Sequence, residues 1–203
     1  AGRPPPQQKF WHRRQAPTFD VIAPGVAKHE EEIVLAPGAE PAADPNLVLR
    51  VAVAAAEFGL PIAPGTLRNL KKCPIGDRNW TDESRELFIR LLASGPALLN
   101  VWEDIDFIDV PGKLIPEWLG VRNRPSASAA HRYTIDRHMV EVVTRLGRET
   151  PSGGRYDDRH YEALLLAGIL HDIGKRPGVA NHAAEGARHA TVVVERMGFD
   201  RDI

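Results

Sequence analysis

From Asp44 onward apolar residues recur every three or four positions, the period of a helix with one face turned inward. In "NLVLRVAVAAAEF" the residues Leu47, Val51, Ala54 and Ala55 keep that period. Asp44 can cap this helix, Pro45 suits its first position, and Gly59 stops it. "TDESRELFIRLLAS" repeats the logic. Thr81 offers a cap, Asp82 and Glu83 favour the positive helix start, Leu87, Phe88, Leu91 and Leu92 form one stripe, and Gly95 closes the segment. "PALLNVWEDIDFIDV" predicts a third helix that opens at Pro96 and ends before Pro111-Gly112. Its acidic residues Glu103, Asp104, Asp106 and Asp109 spread around the helix beside Leu99, Trp102 and Ile105, which reads as a solvated face rather than a metal site. A turn-rich bridge follows. Three more helices are then predicted, at about Thr134 to Leu146, about Tyr156 to His171 or Asp172, and about Asn181 to Met197.

Before Asp44 the helical period is lost. The extended pieces "TFDVI" and "EEIVL" flank a Pro-Gly turn and can form a short N-terminal β-hairpin. Around them the Pro, Gly and Ala content and the charge cluster "KHEEE" (Lys28 to Glu32) read as an exposed linker. No internal repeat is present. The expected class is mainly α, with a linker and hairpin over 1–43, a helical region over 44–130, and a second helical group over 131–203.

Composition narrows the function classes. The chain has 203 residues, 43% of them hydrophobic and 26% charged, as in ordinary soluble globular proteins. A formal net charge of −1 argues against a dedicated nucleic-acid binder. The one cysteine, Cys73, can form neither an internal disulfide nor a thiolate cage, which fits a reducing, cytoplasmic setting. No apolar run approaches the roughly 18 residues that a membrane span needs. "AGRPPPQQKFWHRRQ" is basic without an apolar core, so it is not a secretory signal. It also lacks an initiating Met, and the last helix is followed directly by the final residues. Both suggest a piece cut from a longer protein.

The chemistry concentrates in the last three helices. In "TIDRHMVEVVTRL", His138 lies three residues after Ile135 and four before Val142, on the expected inward stripe with Met139 and Leu146. "ALLLAGILHDIGKRPGVANH" carries His171 and Asp172 at the end of an apolar run whose burial would drive both inward. His182 opens the next helix after the cap Asn181, with Glu185 and His189 on the same side. A buried imidazole or carboxylate without a partner costs several kcal/mol. A divalent cation would resolve the conflict, since His nitrogen and carboxylate oxygen suit Mn²⁺, Fe²⁺ or Zn²⁺, and carboxylates suit Mg²⁺. Asp172 has two oxygens and could bridge two ions, and such an ion would activate water for attack on an electrophile such as phosphorus. Each residue also has a plainer reading. His138 can be a satisfied core histidine, His171-Asp172 a helix-terminal pair, Lys175 a solvated loop cation and His189 an ordinary polar position.

The doublet inside "LLLAGILHDIGK", preceded by His138, resembles the HD superfamily of metal-dependent phosphohydrolases. "HRYTIDRHMVEVV", "ILHDIGK" and "NHAAEGA" together look like the bacterial bifunctional uridylyltransferase and uridylyl-removing enzymes that modify the PII signal protein. "ADPNLVLRVAVAAAEFGLPIAPGTLRNL" resembles the helical region that precedes their HD domain, so the likeness covers most of residues 44–203. It implies that 131–203 is the N-terminal part of an HD domain, truncated here. It implies His138, His171 and Asp172 as metal ligands, His182 as a further ligand or phosphate-side group, and Lys175 as a cation facing the phosphodiester. Asp172 and Lys175 would then be the catalytic residues. His131 fits the paired histidines around "YT". The implied cofactor is a divalent metal, Mg²⁺ or Mn²⁺ first. The implied reaction is removal of UMP or AMP from modified PII in nitrogen regulation, with glutamine as effector through ACT domains outside this chain.

Two departures qualify the likeness. The family's signature closes with a downstream Asp, and Asp200 and Asp202 follow His182 too closely to replace it, so the metal site is expected to be incomplete in this chain and the isolated piece inactive. No Gly-Ser with paired carboxylates of a nucleotidyltransferase occurs, so transferase chemistry is not expected of these residues. Two other readings remain at this point: an HD phosphohydrolase acting on free nucleotides, and a non-catalytic helical module in which the His-Asp cluster cements the core.

Overall fold

The computed structural model describes residues 18–76, 80–125, 133–147 and 158–199. Three short strands come first: β1 (Asp20–Ala23), β2 (Val26–His29) and β3 (Glu32–Leu35). Eight α-helices follow among the described residues. These are α1 (Leu47–Phe58), α2 (Pro64–Leu70), α3 (Asp82–Leu92), α4 (Ala97–Phe107), α5 (Val110–Leu114), α6 (Ile135–Leu146), α7 (Asp158–Leu170) and α8 (His182–Met197). A 3-10 turn over Pro116–Gly120 lies between α5 and α6. The mainly α class holds.

The predicted hairpin is a three-stranded antiparallel meander in the order β1-β2-β3. Pro24-Gly25 makes its first turn, with Gly25 in the left-handed region at φ 75°, and the acidic tail of "KHEEE" makes the second, with Glu30 at φ 53°. The middle strand escaped the pattern because Val26 and Ala27 are its only apolar residues beside Lys28 and His29. Both are fully buried, as is Ile33. Ile33 also exchanges backbone hydrogen bonds with the start of the α2 segment, its N–H donating to Pro61 O at 2.9 Å and its carbonyl accepting from Ala63 N–H at 3.0 Å. This segment is held more closely than its composition suggests.

Helix α1 is the centre of the molecule. Nine of its twelve residues are buried, so it is apolar nearly all round, as a helix enclosed by neighbours must be. It packs on β2 and β3 at one side and on α3 and α4 at the other. The helix begins at Leu47, with Asn46 at the cap position. Asp44 instead accepts from Asn46 N–H at 3.0 Å and from Arg50 Nη2 at 2.6 Å. Arg50, its side chain 10% exposed, also donates to Glu83 Oε1 at 2.9 Å and to Pro24 O. Thr81 caps α3 as predicted, accepting from Ser84 N–H at 3.1 Å while Ser84 Oγ reaches back to Thr81 N–H at 3.2 Å. Ser84 Oγ also donates to Asn46 Oδ1 at 2.6 Å, which ties the starts of α1 and α3 together.

The third predicted helix is broken in two. Asp109 adopts a left-handed conformation at φ 63°, and Pro111 sits in the first turn of α5 instead of ending a helix. Proline is tolerated there because a first-turn N–H has no helical partner to lose. The acidic residues behave as a solvated, ion-paired face: Arg122 bonds Asp109 Oδ1 at 2.7 Å and Asp106 Oδ1 at 3.0 Å, and Glu103 pairs with Arg137. Burial raises the Asp106 carboxyl, an effect that Arg122 opposes. The turn-rich bridge is not a surface excursion, because Ile115 and Trp118 are among the most buried side chains. Helix α6 packs against α4 and α7, and α3 touches α7, so one continuous core links the two helical groups.

Candidate metal centre

The inward face of α6 is Ile135, Met139, Val140 and Val143. Val142 and Leu146 are only half-buried, so the stripe lies one position away from the predicted one and His138 falls at its edge. On α7 the apolar run ends at Leu170, and His171, Asp172, Ile173 and Gly174 form the turn that follows. Ile173 is fully buried and pins this turn. The two polar residues before it diverge: Asp172 is buried, whereas the His171 side chain is 35% exposed and that of His138 29%. The expectation that the run carries both into the interior is thus corrected. The group sits at the surface with a carboxylate at its floor, since one face of α7 is left uncovered (Ala167 is exposed).

Three residues converge. One ligand atom each from His138, His171 and Asp172 lie within 4.8 Å of one another, the one group of three or more such residues among those described. Asp172 Oδ2 is the focus, with His171 Nε2 at 3.4 Å, His138 Nε2 at 3.9 Å and Lys175 Nζ at 2.7 Å. The two rings meet edge to face at 5.3 Å between centroids. Burying a carboxylate is costly without compensation, and here the ammonium supplies it.

Small residues set this geometry. A Cβ on Gly168 would stand 2.8 Å from Leu146 Cδ1 and 3.1 Å from Val143 Cγ2, so its absence lets α7 lie close on α6 beside His138. The Gly168 carbonyl accepts from His171 Nδ1 at 2.8 Å. A carbonyl can only accept, so Nδ1 carries the proton and the neutral ring presents the Nε2 lone pair towards Asp172. That donor set fits a divalent ion: two imidazole nitrogens, one of them with its tautomer fixed, and a carboxylate oxygen. Neither the Gly168 carbonyl nor its missing Cβ announces itself in sequence beyond a glycine three residues before a histidine.

The other predicted residues fare differently. Lys175 is in the group, but as a partner of Asp172. His182 is exposed at the first residue of α8 and lies outside the 4.8 Å group. Asn181 caps α8 as predicted, accepting from Ala184 N–H at 3.0 Å. His189, read as an ordinary polar position, is buried and pairs with Glu185 Oε1 at 2.8 Å. A hydrogen bond from Arg188 holds the Glu185 carboxyl below its ordinary range. His131, Asp200 and Asp202 lie outside the described residues.

Helix α8 is fixed against the His-Asp turn by backbone contact. A Cβ on Gly174 would meet His182 O at 2.2 Å and Gly186 N at 2.3 Å. At its far end Arg196 bonds both oxygens of Glu117, Nη1 to Oε2 at 2.9 Å. Burial raises the Glu117 carboxyl, but the Arg196 hydrogen bonds outweigh it and leave the group below its ordinary range.

No protein-family model matches the chain, and no solved structure matches it. Curated relatives do. The chain is 40% identical to the bifunctional uridylyltransferase/uridylyl-removing enzyme of Streptomyces coelicolor over 182 residues, which are 88% of this chain and 21% of that protein. It is 38% identical to the Mycobacterium tuberculosis enzyme of the same name over 176 residues, 86% of this chain and 21% of that one. The Corynebacterium glutamicum enzyme, again of that name, is 33% identical over 160 residues, 77% of this chain and 22% of that protein. Over the aligned residues the chain is a homologue of the bifunctional uridylyltransferase/uridylyl-removing enzymes, and it spans about a fifth of their length.

Proposed function

We propose that residues 131–203 are part of an HD-type hydrolase domain in which His138, His171 and Asp172 hold a divalent ion, Mg²⁺ or Mn²⁺ first. The reaction is removal of UMP or AMP from a nucleotidylated tyrosine of the PII signal protein. The observation that carries this reading is the convergence of the three ligand atoms on one buried carboxylate oxygen, in a chain whose relatives are named uridylyl-removing enzymes. When bound, the ion supplies Lewis acidity, lowering the pKa of water and polarising a phosphoryl oxygen.

The protein side of the chemistry follows from the geometry. His171 is kept in one tautomer by the Gly168 carbonyl, so its Nε2 is available as a ligand without a proton to lose. Asp172 stays charged beside Lys175 Nζ at 2.7 Å, and that ammonium, its side chain 30% exposed, can turn to the charge that develops on phosphorus. The exposed edge at His171 admits a substrate as large as a protein. Hydrolysis forms the new bond from water oxygen to phosphorus, breaks the bond to the tyrosine oxygen, and leaves the proton on the tyrosine hydroxyl. The test pairs Mn²⁺ titration calorimetry with UMP release from uridylylated PII. His171→Ala and Asp172→Ala should abolish both while the protein stays folded by circular dichroism. Retention of metal binding and release in either variant would sink this reading, and faster hydrolysis of free nucleotides than of modified PII would reassign the substrate.

A further inference from the structure

The turn that carries His171 and Asp172 is gripped from two sides. One grip is the Gly174 contact with α8. The other is Arg176, the residue after Lys175, which reaches across to the 3-10 turn of the upstream helical region. Its Nε donates to Ile173 O at 3.2 Å, inside the turn, and its Nη2 donates to Glu117 O. The guanidinium lies directly on Gly120, where a Cβ would stand 2.5 Å from both Cζ and Nε. Glu117 in turn holds Arg196 of α8 through its carboxylate. One residue of the 3-10 turn therefore anchors the His-Asp turn through its backbone and α8 through its side chain.

We propose that Arg176 is a positioning residue, which with Gly120 and Glu117 clamps the His171–Asp172 turn to the upstream helical region and so sets the ligand geometry. Arg176 touches none of the three converging residues' ligand atoms through any bond described above; it acts through the Ile173 carbonyl next to Asp172. A planar guanidinium suits this task because two of its donors can serve two carbonyls on different segments at once. The metal-dependent part of this inference rests on the proposed metal site, whereas the clamp itself does not.

Two variants break the clamp from opposite sides. Arg176→Ala removes the guanidinium, and Gly120→Ala expels it while leaving Arg176 in the sequence. Because the atoms met at Gly120 are the far end of a flexible side chain, the second variant should fold. Amide exchange is read by mass spectrometry over the turn, where Ile173 N–H is bonded to Leu170 O and Lys175 N–H to Asp172 O. Both variants should speed exchange there about tenfold or more and leave α1 unchanged, and the double variant should be no worse than either alone. Arg90→Ala, which removes an exposed pair with Glu57, is the control and should change nothing. Mn²⁺ affinity should fall about tenfold to a hundredfold in both clamp variants, the range for groups that orient metal ligands. Unchanged turn exchange in both overturns the clamp. Loosened turns with wild-type Mn²⁺ affinity overturn the positioning role. If the wild-type chain binds no Mn²⁺, the proposed metal site falls and the exchange result alone decides the clamp.

Discussion

Gly174 and Gly186 face each other where α8 meets the His-Asp turn, yet they should answer substitution in opposite directions. For Gly174→Ala the new Cβ would be 2.2 Å from His182 O and 2.6 Å from Gly186 Cα. Relaxing the first contact to an ordinary carbon–oxygen approach of about 3.3 Å moves one backbone by about 1 Å. The obstacle is backbone, so no rotamer change relieves it. Overpacking of this kind costs about 1–3 kcal/mol. The loss of unfolded-state entropy returns about 0.4–1 kcal/mol, because Gly174 lies outside the left-handed region and alanine can adopt its backbone. A net loss of about 1–2 kcal/mol lowers the melting temperature by about 2–8 °C for a domain of this size. For Gly186→Ala the nearest atoms lie at 3.5 Å and beyond, ordinary contact distances, and the position is inside a helix. Alanine should therefore stabilise it by up to about 1 kcal/mol. Thermal unfolding followed by circular dichroism measures both. If Gly174→Ala melts at or above the wild type, the close approach of α8 to the turn is not real.

Two further outcomes follow from the helical region. Thr81→Ala removes the α3 cap and the Ser84 contact, and should cost about 0.5–2 kcal/mol in urea denaturation; a loss indistinguishable from zero would mean that the cap network does not form. Burial pushes the Cys73 thiol up from 9.0 to about 11, so native protein should resist iodoacetamide at pH 8 and react once unfolded. Because the folded value is the higher one, stability should be flat below pH 9 and fall between pH 9 and 11, and a Cys73→Ala variant should lose that dependence.

The helices were legible wherever a stripe and a cap coincided. α3 shows both, and its Thr81 cap and Leu87/Phe88/Leu91/Leu92 face stand where the pattern put them. α5 and the 3-10 turn were not legible, since Pro111 and Pro116 read as terminators and only burial of Trp118 reveals that the segment is structural. The site was legible as a set of residue types. His138, His171 and Asp172 meet although 33 residues separate the first two, because α6 and α7 pack side by side. Exposure was not legible: an apolar run says that a helix is packed against something, and cannot say which face its last residue turns outward. The supporting atoms were the least legible, being backbone carbonyls and absent Cβ atoms at Gly168, Gly174 and Gly120, which carry no side-chain signature.

Arg50 has a consequence for where this protein can be cut. It joins Pro24 beside the sheet, Asp44 before α1 and Glu83 on α3, and Ile33 completes the contact by pairing with the strand-like 61–63 segment. A chain started at Asp44 would keep every residue of the metal centre. It would also leave a nearly buried guanidinium without one of its acceptors, and uncover the side of α1 that Val26 and Ile33 now close. The smallest unit that folds around the His-Asp turn therefore begins at the first strand, some 150 residues before the histidine that it serves.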